Sequence, residues 1–134
     1  MTTTTHDSIA IASPADVVRV RNAVRTAAER IGCRNLDVTK LVTAASEIAR
    51  NTLVYGGGGT ADIEVLDTGS RTGVRLVFTD QGPGIPDLAL AQREGYTSGG
   101  GMGLGLSGSK KLVDEFAIES EVARGTRVTL VKWR

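Results

Sequence analysis

The chain is short of most residues that build metal centres, nucleophilic triads and cross-linked folds. It holds one cysteine, Cys33, which excludes an internal disulfide and a cysteine-based zinc cluster. Following Gly32, that thiol reads as half-buried at a helix end, not as a reactive group. His6 is the only histidine, so neither a histidine metal site nor a Ser-His-Asp triad can be assembled. Aromatic residues make up 4%, which disfavours a base-stacking surface. Lys plus Arg number 16 against 15 Asp plus Glu, a formal net charge of +1. That balance lacks the basic excess of a nucleic-acid binder, so no nucleic acid is expected as a partner. No apolar run approaches the roughly 18 residues that argue for a membrane helix. The opening Met1–Ser8 also lacks the basic-then-apolar order of a secretory signal. No membrane partner is expected, and the expected address is the cytoplasm.

What remains is ordinary in bulk and unusual in one residue. The length of 134 residues and 40% hydrophobic content suit a single domain with a moderate core. Residues 1–7 read as a flexible polar leader and 8–134 as the domain. A first strand is expected over Ser8–Ala12. Ser13-Pro14-Ala15-Asp16 is a helix start, with a capping serine, a proline tolerated in the first turn and an acid at the capping-box position. Val17, Val20, Val24, Ala27, Ala28 and Ile31 recur at helical spacing, and Gly32 is a stop. A second helix is expected from a cap at Asp37 to about Tyr55, with Val38, Leu41, Val42, Ala45, Ile48, Ala49 and Leu53 as its apolar stripe. Gly56–Gly59 breaks it. Strands follow over Ala61–Asp67 and Val74–Thr79, separated by the Gly69–Gly73 turn. A short helix over Pro86–Gln92, a helix over Leu104–Glu115 and strands over Ala117–Val122 and Thr126–Trp133 complete the pattern.

Strands in hairpin succession with helices grouped between them predict an α/β fold. Its form is a two-layer sandwich, a mixed but mostly antiparallel sheet covered on one face by helices. Strict βαβ alternation, which a parallel dinucleotide fold needs, is missing.

Glycine is the abundant residue, 17 in all, and three motifs use it or face it. On the second helix Glu47 and Asn51 are four apart and share a face. A carboxylate and a carboxamide there offer hard oxygen ligands suited to magnesium or its waters. Asp80-Gln81-Gly82-Pro83-Gly84 ends an apolar strand. Asp80 can accept a charge-assisted hydrogen bond from an amino group, worth roughly 1.5–3 kcal/mol, while Gly82 and Gly84 let a flat ring approach the backbone. The third motif, Gly99-Gly100-Gly101-Met102-Gly103-Leu104-Gly105, leads into a helix, where unpaired amides bind phosphate. Gly103–Gly108 spells G-x-G-x-x-G, but no strand precedes it and too little chain follows for a dinucleotide unit. Ser109 stands where a Walker A loop needs lysine.

Together these motifs resemble the GHKL ATPase and kinase superfamily, with its Bergerat nucleotide fold. Glu47 and Asn51 match its N box, and Asp80, Gly82 and Gly84 match its G1 box. Gly101, Gly103 and Gly105 match its G2 box, and Gly125-Thr126 its late Gly-Thr. Within it, Ser46–Asn51, Asp80–Asp87, Asp114-Glu115-Phe116 and Lys132-Trp133 look like the RsbT type of switch serine/threonine kinase. The resemblance implies ATP and Mg2+ as cofactors and transfer to serine or threonine on STAS-domain proteins in bacterial stress signalling. It also implies binding and activation of a PP2C-type phosphatase. By position it gives Asp80 to the adenine amino group, with Thr126 assisting through water, and Asn51 to magnesium. Glu47 becomes the candidate catalytic base. The phosphates fall to the Gly99–Gly105 backbone, Met102 and Leu104 included. Two rival readings share the fold. One is an anti-sigma factor kinase of the RsbW or SpoIIAB kind, whose members usually carry a histidine soon after the N-box asparagine. Here Thr52-Leu53-Val54-Tyr55 has none. The other is a nucleotide-dependent binding module without transfer activity. A complete histidine kinase is excluded, because there is no dimerisation helix pair and no phospho-accepting histidine.

Overall fold

The computed structural model describes residues 2–84 and 106–134. The short helix expected over Pro86–Gln92 and the Gly99–Gly105 loop lie outside those residues. Among them the elements run β1 (Thr2–Ile11), α1 (Pro14–Arg30), α2 (Asn35–Val54), β2 (Gly59–Asp67), β3 (Thr72–Asp80), α3 (Leu106–Leu112), β4 (Glu115–Glu121) and β5 (Gly125–Trp133). The strands form a five-stranded sheet in the order β1-β2-β3-β5-β4. All four ladders are antiparallel, where the sequence pattern allowed for a mixed sheet. The α/β sandwich is otherwise as the pattern predicts.

One sheet face alternates apolar toward the helices. Ala61 and Ile63 of β2, Val74, Leu76 and Phe78 of β3, and Val128 and Leu130 of β5 join Val20, Val24, Leu41 and Ile48 of the helices in one buried cluster. The period of two along each strand and the 3.6-residue stripe on each helix both point into it. Three further apolar residues, Leu66, Val77 and Val131, are buried outside that cluster.

α1 starts as its sequence predicts. The Asp16 carboxylate accepts hydrogen bonds from the amides of Ala12 at 2.9 Å and Ser13 at 3.1 Å. These donors, Ala12 first, hold the Asp16 carboxyl below its usual value. Gly32, with φ +81°, takes the left-handed position just past the helix end that glycine fills without strain. α2 begins at Asn35, two residues before the expected cap. Asp37 therefore lies in its first turn, where its carboxylate is 3.5 Å from the Lys132 ammonium. That ammonium is also 3.5 Å from Asp114, so one buried lysine ties the start of α2 and the residue before β4 to the last strand.

The largest departure is at the N-terminus. Residues expected to be a flexible leader extend β1 back to Thr2, paired with β2 as far as Asp67. The run is polar because β1 is an edge strand, where backbone pairing on one side suffices and little apolar surface need be buried. Cross-strand contacts accompany the ladder. His6 Nε2 lies 3.1 Å from Asp62 Oδ1, and the Thr3 hydroxyl donates to Glu64 at 3.4 Å.

Candidate active site

A pocket opens where α2 crosses the ends of β3 and β5. Ile48, Asn51, Thr52 and Tyr55 of α2 face Phe78 and Asp80 of β3, Thr126 and Val128 of β5, Ile118 of β4 and Leu106 of α3. Gly56, Pro83 and Gly84 complete the wall, and the space is about 490 Å3 with its open mouth included. Its walls are mostly apolar, with Asp80 and Thr126 as a polar end. This is the composition of a small-molecule site for a flat, partly polar ligand.

Asp80 is the chemical centre of that end. It is the last residue of β3 and pairs with Thr126 of β5. Its carboxylate accepts a hydrogen bond from the Gly82 amide at 2.9 Å. Burial pushes its carboxyl above the usual aspartate value, against the Gly82 and Thr126 amides, which pull it down. A half-buried carboxylate with two backbone donors is an acceptor aimed at a donor ligand, such as an exocyclic amine.

Three glycines make this geometry possible. At Gly125 the φ is +104°, and a Cβ would overlap the Asp80 carbonyl oxygen. At Gly84 the φ is +76°, and a Cβ would overlap the Glu121 carbonyl oxygen. The same loop is anchored by the Ala123 amide, which donates to the Pro83 carbonyl at 2.8 Å. A Cβ on Gly82 would stand 2.7 Å from Gly56 Cα. So the loop after Asp80 lies directly on the end of α2 and on the β4–β5 turn. The α2 end itself closes on Asn51, whose carbonyl accepts from the amides of Tyr55 at 2.9 Å and Gly56 at 3.1 Å.

Of the expected site residues, Asn51, Asp80, Gly84 and Thr126 line this one pocket, and Gly82 adjoins it through Gly56. Glu47 does not line it. It lies one turn earlier on α2 and borders a neighbouring depression with Arg21 and Arg25 of α1 and Ser46 and Arg50 of α2. Gly99, Gly100, Gly101, Met102, Gly103, Leu104 and Gly105 fall outside the described residues. Among the described residues no group of three or more His, Cys, Asp and Glu could cage a metal ion. Cys33 is half-buried and its thiol is pushed up, first by burial and then by Asp37, as an inert structural thiol should be.

Sequence reasoning missed Gly56, whose lack of a side chain leaves room for the Asp80 carboxylate. It also missed Ile48, Phe78, Leu106, Ile118 and Val128 as pocket walls. The glycine run after α2 signalled only a helix break, and the apolar residues carry no mark separating a pocket wall from a core.

Comparison with known proteins gives this architecture its class. The model of the histidine kinase-like ATPase domain matches residues 10–132, and the chain belongs to that family. Within it, the chain is 38% identical over 118 residues to the serine/threonine-protein kinase RsbT of Bacillus subtilis, covering 88% of this chain and 89% of the relative. The enzyme class that this similarity gives is serine/threonine protein kinase. The anti-sigma F factor of Geobacillus stearothermophilus is 31% identical over 103 residues, covering 72% of this chain and 69% of the relative. Among solved structures, the RsbU and RsbW domains of Rv1364c from Mycobacterium tuberculosis match with a TM-score of 0.66 at 24% identity. That match covers 98% of this chain and 33% of the other, so this chain spans about a third of it. It bears on the fold alone.

Proposed function

We propose that the protein is an ATP-dependent serine/threonine kinase of a bacterial partner-switching module, with STAS-domain proteins as its acceptors. The observation that carries this reading is the convergence of Asn51, Asp80 and Thr126, from three separate elements, on one mostly apolar pocket. Asp80 accepts the adenine amino group, and Thr126 assists beside it. Ile48, Phe78, Ile118 and Val128 enclose the ring. The Gly99–Gly105 backbone, with Met102 and Leu104, takes the phosphates. Asn51 holds Mg2+, which when bound neutralises charge on the transferring phosphoryl group.

Glu47 stands outside the adenine pocket, and that placement suits the acceptor side. A serine or threonine hydroxyl entering along the Arg21–Arg50 depression meets Glu47 as its proton acceptor. The hydroxyl oxygen takes the γ-phosphoryl group and ADP is left. The protein acts in the cytoplasm; no helix of the described residues is long and apolar enough to cross a membrane. A PP2C-type phosphatase is the second partner, bound when the kinase leaves its STAS partner.

A pull-down with tagged protein and Mg-ATP, read by mass spectrometry, tests the partners. Recovery of STAS proteins newly phosphorylated on serine or threonine supports the proposal, and a PP2C phosphatase in the same eluate extends it. The 31% identity to an anti-sigma F factor favours one alternative, sequestration of a sigma factor. Recovery of a sigma factor in place of STAS proteins would establish that role.

A further inference from the structure

The turn between β4 and β5 holds a backbone conformation that its sequence does not favour. Ala123 has φ +67°, and among the described residues it is the only one besides glycine at positive φ. It is the third residue of a four-residue turn, closed by the Arg124 amide donating to the Glu121 carbonyl at 2.9 Å. Val122, the second residue, stays at negative φ. That combination is the pattern of a type II turn, whose third position favours glycine or asparagine. A strained alanine persists there only if its surroundings over-determine it. The surroundings are the loop after Asp80. The Ala123 amide donates to the Pro83 carbonyl at 2.8 Å. A Cβ on Gly84 would stand 3.1 Å from Val122 Cα and closer still to the Glu121 carbonyl. Pro83 and Gly84 line the pocket, and Ala123 does not.

We propose that Ala123 is a positioning residue for nucleotide binding: its left-handed backbone turns the Val122–Ala123 peptide so that the N–H holds Pro83 and Gly84 in place as pocket wall. This inference rests on the nucleotide reading of the pocket. Type I and type II turns differ by a flip of the peptide that joins their second and third residues. In the type II form the Ala123 N–H points at Pro83. Alanine adopts the type I form without strain, but there the Val122 carbonyl takes the place of that N–H. It would then meet the Pro83 carbonyl, acceptor against acceptor. The direction of one peptide therefore decides whether the loop after Asp80 is held or pushed away. The strain at Ala123 is kept because the easier turn would withdraw this donor from Pro83.

The test measures Mg-ATP affinity by calorimetry, well below each melting temperature, for the wild type, Ala123→Gly, Ala123→Asn, Ala123→Val and Asp80→Asn. Ala123 is exposed, so the new side chains act through the backbone and not through packing. Glycine and asparagine accept positive φ, whereas a β-branched residue there is an outlier. Ala123→Gly should melt several degrees higher than the wild type, because the strain is relieved. It and Ala123→Asn should keep wild-type affinity. Ala123→Val, close to asparagine in size, should bind about three- to tenfold more weakly, the worth of one neutral hydrogen bond. Wild-type affinity in Ala123→Val, or equal losses in the asparagine and valine variants, overturns the inference while leaving the pocket assignment intact. An Ala123→Gly variant that melts no higher than the wild type overturns it too, whether or not Ala123→Val folds. Wild-type ATP affinity in Asp80→Asn, or no binding by the wild type, overturns the pocket assignment and this inference with it.

Discussion

Replacing Gly125 with alanine puts the geometry of the site to a quantitative test. Its φ of +104° lies in a region that side chains rarely adopt, a cost of about 1–3 kcal/mol. The added Cβ would also stand 2.9 Å from both the Asp80 carbonyl carbon and Gln81 Cα, and closer still to the Asp80 carbonyl oxygen. Carbon atoms in comfortable contact are about 3.5–4.0 Å apart. None of these atoms can swing aside as a flexible side chain would, so the β3 end and the β5 start must separate by about 1 Å. Asp80 and Thr126 are paired across that joint, and both line the pocket. The variant should melt several degrees lower by circular dichroism and, measured well below its melting temperature, bind a fluorescent ADP analogue about 10- to 150-fold more weakly, the worth of the charge-assisted hydrogen bond that a displaced Asp80 no longer makes. Wild-type melting and wild-type affinity would refute the claim that backbone contact at Gly125 sets the site.

Other expectations follow from the same contacts. Asp80→Asn should weaken ATP binding about 10- to 150-fold, the loss of one charge-assisted hydrogen bond of about 1.5–3 kcal/mol. It should also raise the melting temperature at neutral pH. Burial lifts the Asp80 carboxyl above its ordinary 3.8 in the folded state, so the ionised form opposes folding. That penalty grows as pH rises through the folded value and vanishes below 3.8. The stability gain of the asparagine variant should disappear in acid melts, and a constant gain at every pH would contradict this account. Phe78→Ala removes a side chain that is 1% exposed and shared by core and pocket. A loss of about 3–5 kcal/mol in urea denaturation is expected, together with weaker nucleotide binding.

The start of α1 could be read from sequence because its determinants are local. Ser13, Pro14 and Asp16 act within one turn, and Gly32 stops the helix by its own backbone. Where the reading failed, the cause lay farther away. The strand over Thr2–Asp7 exists because β2 pairs with it, and nothing in a run of threonines announces an edge. α2 begins before Asp37 because that carboxylate is engaged by Lys132 near the opposite end of the chain. The site divides along the same line. Asn51, Asp80, Gly84 and Thr126 were recognisable by motif. The role of Gly56 depends on a carboxylate 24 positions later, a close approach made by tertiary packing, to which a local pattern is blind.

Transfer of radiolabel from [γ-32P]ATP to a purified STAS-domain protein of the same organism, with the acceptor residue mapped by mass spectrometry, is the most direct measurement. Wild type, Glu47→Ala and Asn51→Ala should be run beside one another, with nucleotide binding measured on each. The predicted result is label on serine or threonine with the wild type. Glu47→Ala should lose about two to four orders of magnitude in transfer, the usual contribution of a general base, with ATP affinity nearly unchanged. Asn51→Ala should lose the magnesium dependence of binding. Absence of label on every STAS protein tested, with ATP still bound in the Asp80 pocket, would contradict the kinase assignment and leave a nucleotide-dependent binding module. Undiminished transfer by Glu47→Ala would contradict the role given to that residue.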